Sequence, residues 1–415
     1  MQSDSFLMQS ADTAATTEVA VPEPSALAIR YHRTGNALWA GATALDLLLP
    51  AALLFTGLSA RVRSLAARVG RGRRFATIAI YGAAYVLIQA VVFLPLTWYA
   101  GFVRQHAYGL STETAGAWLG DWAKAVAISV GFAALLLWIP YRLLRASPRR
   151  WWLWTRLLTA PLTVLAMIVL PVYVAPLFDE YGRMRDRALE ERIHRLAARA
   201  GIPDSRIYEV RKSDETRGLN AYVAGFGGTK RIVLWDTLVD RLDPDEVVFV
   251  VGHEIGHFVL RHTLTFIVLS TLLVTLSLYA VQRVAGWLID RYRPRFGFDR
   301  LDDVASLPLL SLVGGLVVLA ATPAALALSR WQEREADRFG LEITQDNPAA
   351  ARAFVRLQVD NLGVPRTGTL FKLWRGSHPD LADRIGFANR YSPWSEGRPL
   401  RYGDRFHAAE PAAVP

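Results

Sequence analysis

Val247-Val248-Phe249-Val250-Val251-Gly252-His253-Glu254-Ile255-Gly256-His257-Phe258-Val259 places a His-Glu-x-x-His pattern inside a continuous apolar run that reads as a helix. At about 3.6 residues per turn, His253 and His257 stand one turn apart on the same face. Two imidazoles so placed can grip one zinc ion, and Glu254 beside them can take a proton from a water held there. Upstream, Asp243-Pro244-Asp245-Glu246 has the form of a helix start: Asp at the N-cap, Pro in the first turn, Glu three residues after the cap. The competing reading is two core histidines with Glu254 as a salt-bridge partner. These flanks, and a chain with only 8 His in 415 residues, weigh against it.

The chain is 52% hydrophobic and 20% charged, with a mean hydropathy of +0.20. That is too apolar for an ordinary soluble protein. The net charge of +10 clusters between apolar runs, so no nucleic-acid partner is expected. With no Cys, disulfides and thiol catalysis are excluded. Residues 1–30 lack the basic start and apolar core of a cleavable signal, and residues 1–36 read as a disordered tail.

Six apolar runs reach the roughly 20 residues that a bilayer-spanning helix needs. They lie near 37–58, 75–99, 123–144, 152–176, 262–285 and 304–328, with Trp and Tyr at several ends. The expectation is an integral multi-pass protein of the cell (inner) membrane, with the lipid bilayer as a partner. Asp46 falls inside the first run and reads either as a cavity residue or as a residue near the helix end. Two polar segments interrupt the spans. In the first, 177–261, a helix is expected over 183–200 from its Leu189, Ile193, Leu196, Ala197 stripe. Short strands are expected at 207–210, 219–224 and 231–235, with a turn at Gly225–Gly228. The second, 329–390, reads as mostly helical and is followed by a loose tail over 391–415. The predicted fold is mainly α: a membrane helix bundle of about six spans (37–176 and 262–328) with a small α+β zincin-like domain built from the two polar segments.

A catalytic zinc needs a third protein ligand. Thr263 stands where a metzincin would have its third His, His262 is one residue off, and Leu260 replaces the glycine of that arrangement. Trp331-Gln332-Glu333-Arg334-Glu335-Ala336-Asp337 offers carboxylates instead. Glu333 and Asp337 share a helix face, so one can bind metal while the other accepts a hydrogen bond from a ligand histidine. Glu335 points elsewhere. An exposed helix of Glu/Arg pairs is the other reading.

The ordered set resembles the membrane zinc endopeptidases of the CAAX prenyl protease type (gluzincins), with HtpX-like quality-control proteases as relatives. It comprises His253-Glu254-x-x-His257 and Glu333-x-x-Ala336-Asp337, with Tyr108-Gly109-Leu110-Ser111, Ala175-Pro176-Leu177-Phe178-Asp179, Asn220-Ala221-Tyr222, Lys230–Leu238 and Ser377-His378-Pro379 with Arg384. The likeness covers roughly 75–390. It implies one zinc per chain held by His253, His257 and Glu333, with Glu254 as general base and Asp337 behind a ligand histidine. It further implies His378 and Arg384 at the oxyanion, and Asn220, Ala221 and Tyr222 along a polypeptide substrate bound as an added strand. Two departures stand out. Six spans are visible where the eukaryotic proteases have seven, and Ser111 replaces the usual asparagine.

The expected chemistry is hydrolysis of peptide bonds in membrane-associated, lipidated or misfolded polypeptides, as CAAX-type processing or as quality control. Zinc would lower the pKa of its water from about 15.7 to about 7. The rival accounts are a catalytically inactive membrane scaffold and a six-span transporter with an accidental motif. Two arguments about orientation oppose each other. The loops at 59–74, 142–156 and 286–303 carry 6, 5 and 4 Arg, while 100–122 carries only Arg104. The positive-inside rule therefore puts the catalytic segments outside. The resemblance implies that they face the cytosol.

Overall fold

The computed structural model describes residues 18–225 and 230–407. Six helices are long and apolar enough to cross a membrane. Helix α1 (Ala26–Phe55) runs to α2 (Leu58–Val69), and α3 (Arg74–Trp98) returns through a π turn into α4 (Arg104–Ala107). Then come α5 (Ala115–Leu136), α6 (Trp138–Ala146) and α7 (Trp151–Val169).

At one end the three Arg-rich loops meet. Arg63 pairs with Asp303, Ser59 donates to the Ala305 carbonyl at 2.6 Å, and the Tyr141 and Ser306 hydroxyls lie 3.0 Å apart. Leu54, Tyr81, Tyr141, Trp151 and Phe296 form the buried core there. At the other end sits the polar domain.

That domain begins with β1 (Tyr181–Gly182), α8 (Arg187–Arg199), β2 (Arg206–Val210), β3 (Ala221–Ala224) and β4 (Arg231–Trp235). The sheet order is β1-β2-β4-β3. β2 and β4 are parallel, while β3 runs antiparallel to β4 with Ala221 opposite Leu234, so β3 is an edge. Next come α9 (Asp236–Arg241), the motif helix α10 (Pro244–Val259), α11 (His262–Phe296) and α12 (Leu307–Thr344). The chain closes with α13 (Asn347–Asp360), α14 (Thr369–Trp374) and α15 (Leu381–Arg390). Ile193, Ile232, Leu234, Phe249, Val251, Phe339, Phe354 and Ile385 form the core beneath the site.

Several sequence expectations change. α1 starts at Ala26, capped by Ser25, so the tail expected to extend to residue 36 gives way to helix over 26–36. Asp46 lies well inside α1, which removes the helix-end reading; it is exposed, with no ion pair among the described residues. The last span and the helix of Glu333 are one unbroken element, α12. The tail expected to be loose packs down: Tyr402 and Phe406 lie against Phe339, and the His407 N–H donates to the Arg199 carbonyl at 2.8 Å. β1 was not expected. The turn expected over Gly225–Gly228 falls mostly outside the described residues.

Candidate metal centre

Helix α10 starts as its sequence dictates, with the reciprocal Asp243/Glu246 capping box closed and Pro244 in the first turn. It is buried on most sides, and three glycines let it cross α12 closely. A Cβ on Gly256 would lie 3.1 Å from Phe339, one on Gly252 3.3 Å from Ile343, and one on Gly340 3.1 Å from the His253 nitrogen.

This crossing brings Glu333 of α12 over His253 and His257. The two Nε2 atoms face each other at 3.2 Å. Glu333 Oε2 lies 3.4 Å from His253 Nε2, and Oε1 lies 3.3 Å from His257 Nε2. One donor atom from each residue falls within 4.8 Å of the others. The donor set is two imidazoles and a carboxylate, as a catalytic zinc uses. Glu333 Oε2 is buried without a well-aligned hydrogen bond, although His378 Nδ1 lies 2.7 Å away. Two nitrogens turned on each other beside an unsatisfied carboxylate oxygen fit a cation.

Behind the donors, His253 Nδ1 lies 2.9 Å from Asp337 Oδ1. Arg384 grips Asp337 with two bonds, Nη2 to Oδ1 at 2.6 Å and Nε to Oδ2 at 2.9 Å. Burial alone would lower the pKa of His253, but Asp337 and Glu333 outweigh it and push it up to about 10. Positive charge is therefore favoured at this ring. Burial raises the Glu254 carboxyl above its ordinary range, opposed by the charges of His253 and His257. Glu254 lines the cavity, with Oε1 4.0 Å from His253 Nε2.

The cavity has a volume of about 500 Å³ and reaches Asn220, Ala221, His378 and Arg384. Ala221 is buried at the start of β3, Asn220 is exposed, and the Tyr222 hydroxyl lies 3.1 Å from that of Tyr181. Asn361 pins the lead-in to this edge, accepting from the Leu219 N–H at 3.0 Å and donating to its carbonyl at 3.3 Å. Ser111 also meets the domain, bridging to Thr216 and donating to the Glu215 carbonyl at 2.9 Å.

Sequence reasoning missed three parts of the site. His262, considered only as a displaced third ligand, is buried with Nδ1 2.9 Å from His257 Nδ1. For His257 to present a lone pair at Nε2, its proton sits on Nδ1 and is accepted by His262. Asn361 carried no signal. Nor did Tyr31, His32 and Gly35 of α1, which line the cavity from a segment that reads as polar tail.

Residues 183–392 match the family described as peptidase family M48, and residues 25–180 match the CAAX prenyl protease N-terminal region of five membrane helices. The chain belongs to peptidase family M48. It is 34% identical over 371 residues to the uncharacterized metalloprotease YhfN of Bacillus subtilis, covering 89% of this chain and 86% of that protein. To CAAX prenyl protease 1 of Saccharomyces cerevisiae it is 27% identical, over 72% of this chain and 69% of the other. The crystal structure of S. mikatae Ste24p shares the fold, with a TM-score of 0.74 and 86% of each chain covered at 22% identity. This member of M48 is thus an integral multi-pass membrane metalloprotease, with a His-His-Glu group able to hold its metal.

Proposed function

We propose that this M48 protease is a zinc-dependent endopeptidase that cleaves membrane-associated polypeptides, lipidated or misfolded. The observation that carries the reading is the convergence of His253, His257 and Glu333 on one another, where His253 and Glu254 line a cavity bordered by the edge strand β3. Relatives named CAAX prenyl proteases support the substrate class.

Zinc held by His253, His257 and Glu333 would supply a Lewis acid and make a water more acidic. Glu254 takes the proton of the attacking water and returns it to the leaving amine. Its raised carboxyl pKa suits both steps. Asp337 accepts from His253 Nδ1–H, which keeps the Nε2 lone pair directed at the metal. His378 is 57% exposed at its side chain, at the cavity mouth, and donates to the developing oxyanion. Arg384 contributes positive charge there while its fork holds Asp337. Asn220, Ala221 and Tyr222 receive the substrate as a strand added to β3.

Elemental mass spectrometry of the purified protein tests the centre: about one zinc per chain is expected, lost in His253→Ala. Glu254→Gln should keep the zinc and lose about 10²–10⁴-fold in turnover. A folded wild type without zinc, or an active Glu254→Gln, would defeat the proposal and favour a scaffold that keeps the fold.

A further inference from the structure

A second cavity, of about 540 Å³, lies at the Arg-rich end of the bundle, away from the metal centre. It sits between the start of α3 and the end of α6, and its lining includes Arg74, Phe75, Ile78, Trp138, Arg142 and Arg145. These helix ends bound the second and third spans, so the cavity lies where hydrocarbon gives way to headgroups. Trp138, Arg142 and Arg145 fall at i, i+4 and i+7 of α6 and share one face, while Tyr141 and Leu144 turn inward and are buried. Across from them α3 opens with Arg74 and Phe75, with Ile78 one turn on. The Phe75 and Trp138 rings meet edge to face with centroids 6.3 Å apart, and the Arg142 guanidinium lies 6.0 Å from the Trp138 centroid.

Three guanidiniums thus line one space, and no acidic side chain is among the lining residues. Arg74 donates to the Tyr141 and Asp302 carbonyls at 3.3 and 3.4 Å. It reaches the Asp302 carboxylate only at 3.6 Å, and Arg300 already holds that carboxylate at 2.9 Å. Arg142 and Arg145 are exposed, with no ion pair among the described residues. Phe75, Leu135 and Leu136 are exposed apolar side chains on the membrane side of this cluster. Like charges so close repel, and the repulsion is poorly screened where hydrocarbon adjoins. One molecule with an anionic head and an apolar body satisfies both the arginines and the surface beside them.

We propose that this cavity binds the headgroup of an anionic phospholipid, with its acyl chains along Phe75, Trp138 and Leu135. Guanidinium forks match a phosphodiester in charge and geometry. Basic pockets between membrane helices hold anionic headgroups in this way. A zwitterionic lipid brings its own cation beside the same phosphate and gains less. The bound lipid bridges α3 and α6 and, through Arg74, the loop of Asp302, so it stabilises the folded bundle.

The test is native mass spectrometry of the full-length protein in detergent, with phosphatidylglycerol or phosphatidylcholine of matched chains added. The wild type should retain phosphatidylglycerol at least about fivefold better, and its Tm should rise with that lipid alone. Arg142→Gln combined with Arg145→Gln should bring the retention ratio near one. So should Ala146→Glu, which sets a carboxylate in the cavity without removing a packed side chain. Arg61→Gln combined with Arg68→Gln removes the same charge from exposed positions of α2 and should leave the ratio at its wild-type value. An equal loss in that control pair would overturn the site, since charge at this end in general would then be the cause. Equal retention of the two lipids by the wild type would overturn it as well. Displacement of the lipid by millimolar glycerol phosphate would overturn the assignment to a lipid and leave a site for soluble phosphate esters.

Discussion

Gly340→Ala tests whether the metal centre depends on the close crossing of α10 and α12. The added Cβ would lie 3.1 Å from the His253 nitrogen, 3.3 Å from its Cα and 3.2 Å from Phe249 Cε2. Two of those atoms are helix backbone and cannot swing away. Restoring ordinary contact near 3.5 Å requires the helices to part by roughly 0.3–0.5 Å. Overpacking of this kind costs about 1–3 kcal/mol, against which alanine gains about 0.5–1 kcal/mol over glycine within a helix. A net loss between about 0 and 2.5 kcal/mol follows from the two. The separation also carries His253 away from Glu333, and metal sites tolerate only about 0.2 Å in ligand distances. Zinc affinity should fall by about tenfold, or roughly 1.4 kcal/mol. Chelator competition gives the affinity, and thermal unfolding with and without chelator separates fold from metal. Gly41→Ala in α1, with nothing within 4 Å, is the control: it should leave zinc affinity unchanged and raise the Tm slightly. Wild-type zinc affinity together with a raised Tm in Gly340→Ala would show that helix propensity outweighs the close contact and that the crossing does not set the metal geometry.

Asp337→Asn removes the charge facing His253 Nδ1 and leaves Arg384 buried without its carboxylate. Zinc affinity should drop by about 10–100-fold, read by the same competition. His262→Leu takes away the acceptor 2.9 Å from His257 Nδ1 and should cost about tenfold in zinc affinity, with His262→Asn recovering part of it. A reporter fused after residue 390 should lie outside the cytoplasm if the Arg-rich loops, which cluster at the end opposite the peptidase domain, set the orientation. A cytoplasmic signal would show that the charge imbalance does not govern this chain.

What could be read from the sequence alone was what local spacing decides. His253 and His257 are one helical turn apart, so their shared face needs no knowledge of the rest of the chain. The capping box fixed the start of α10 to the residue, and the spans followed from length and apolarity. Glu333 and Asp337 were legible as a pair, again by helical spacing.

Which side of each group meets which partner was decided only by the tertiary structure. Glu333 faces both Nε2 atoms while Asp337 lies one turn further along α12 against Nδ1, a division set by the crossing of two helices whose glycines are far apart in sequence. His262 returns to His257 because Arg261 turns the chain in the left-handed region, φ 58°, at the end of α10. Arg30, His32 and Asn36 make the start of α1 look like tail, yet that segment lines the cavity with Arg104 and Arg375. Tyr402, in what reads as a loose end, bonds Glu335 on the far side of α12. In each case a polar residue has a partner distant in the chain, and periodicity registers apolar faces rather than polar partners.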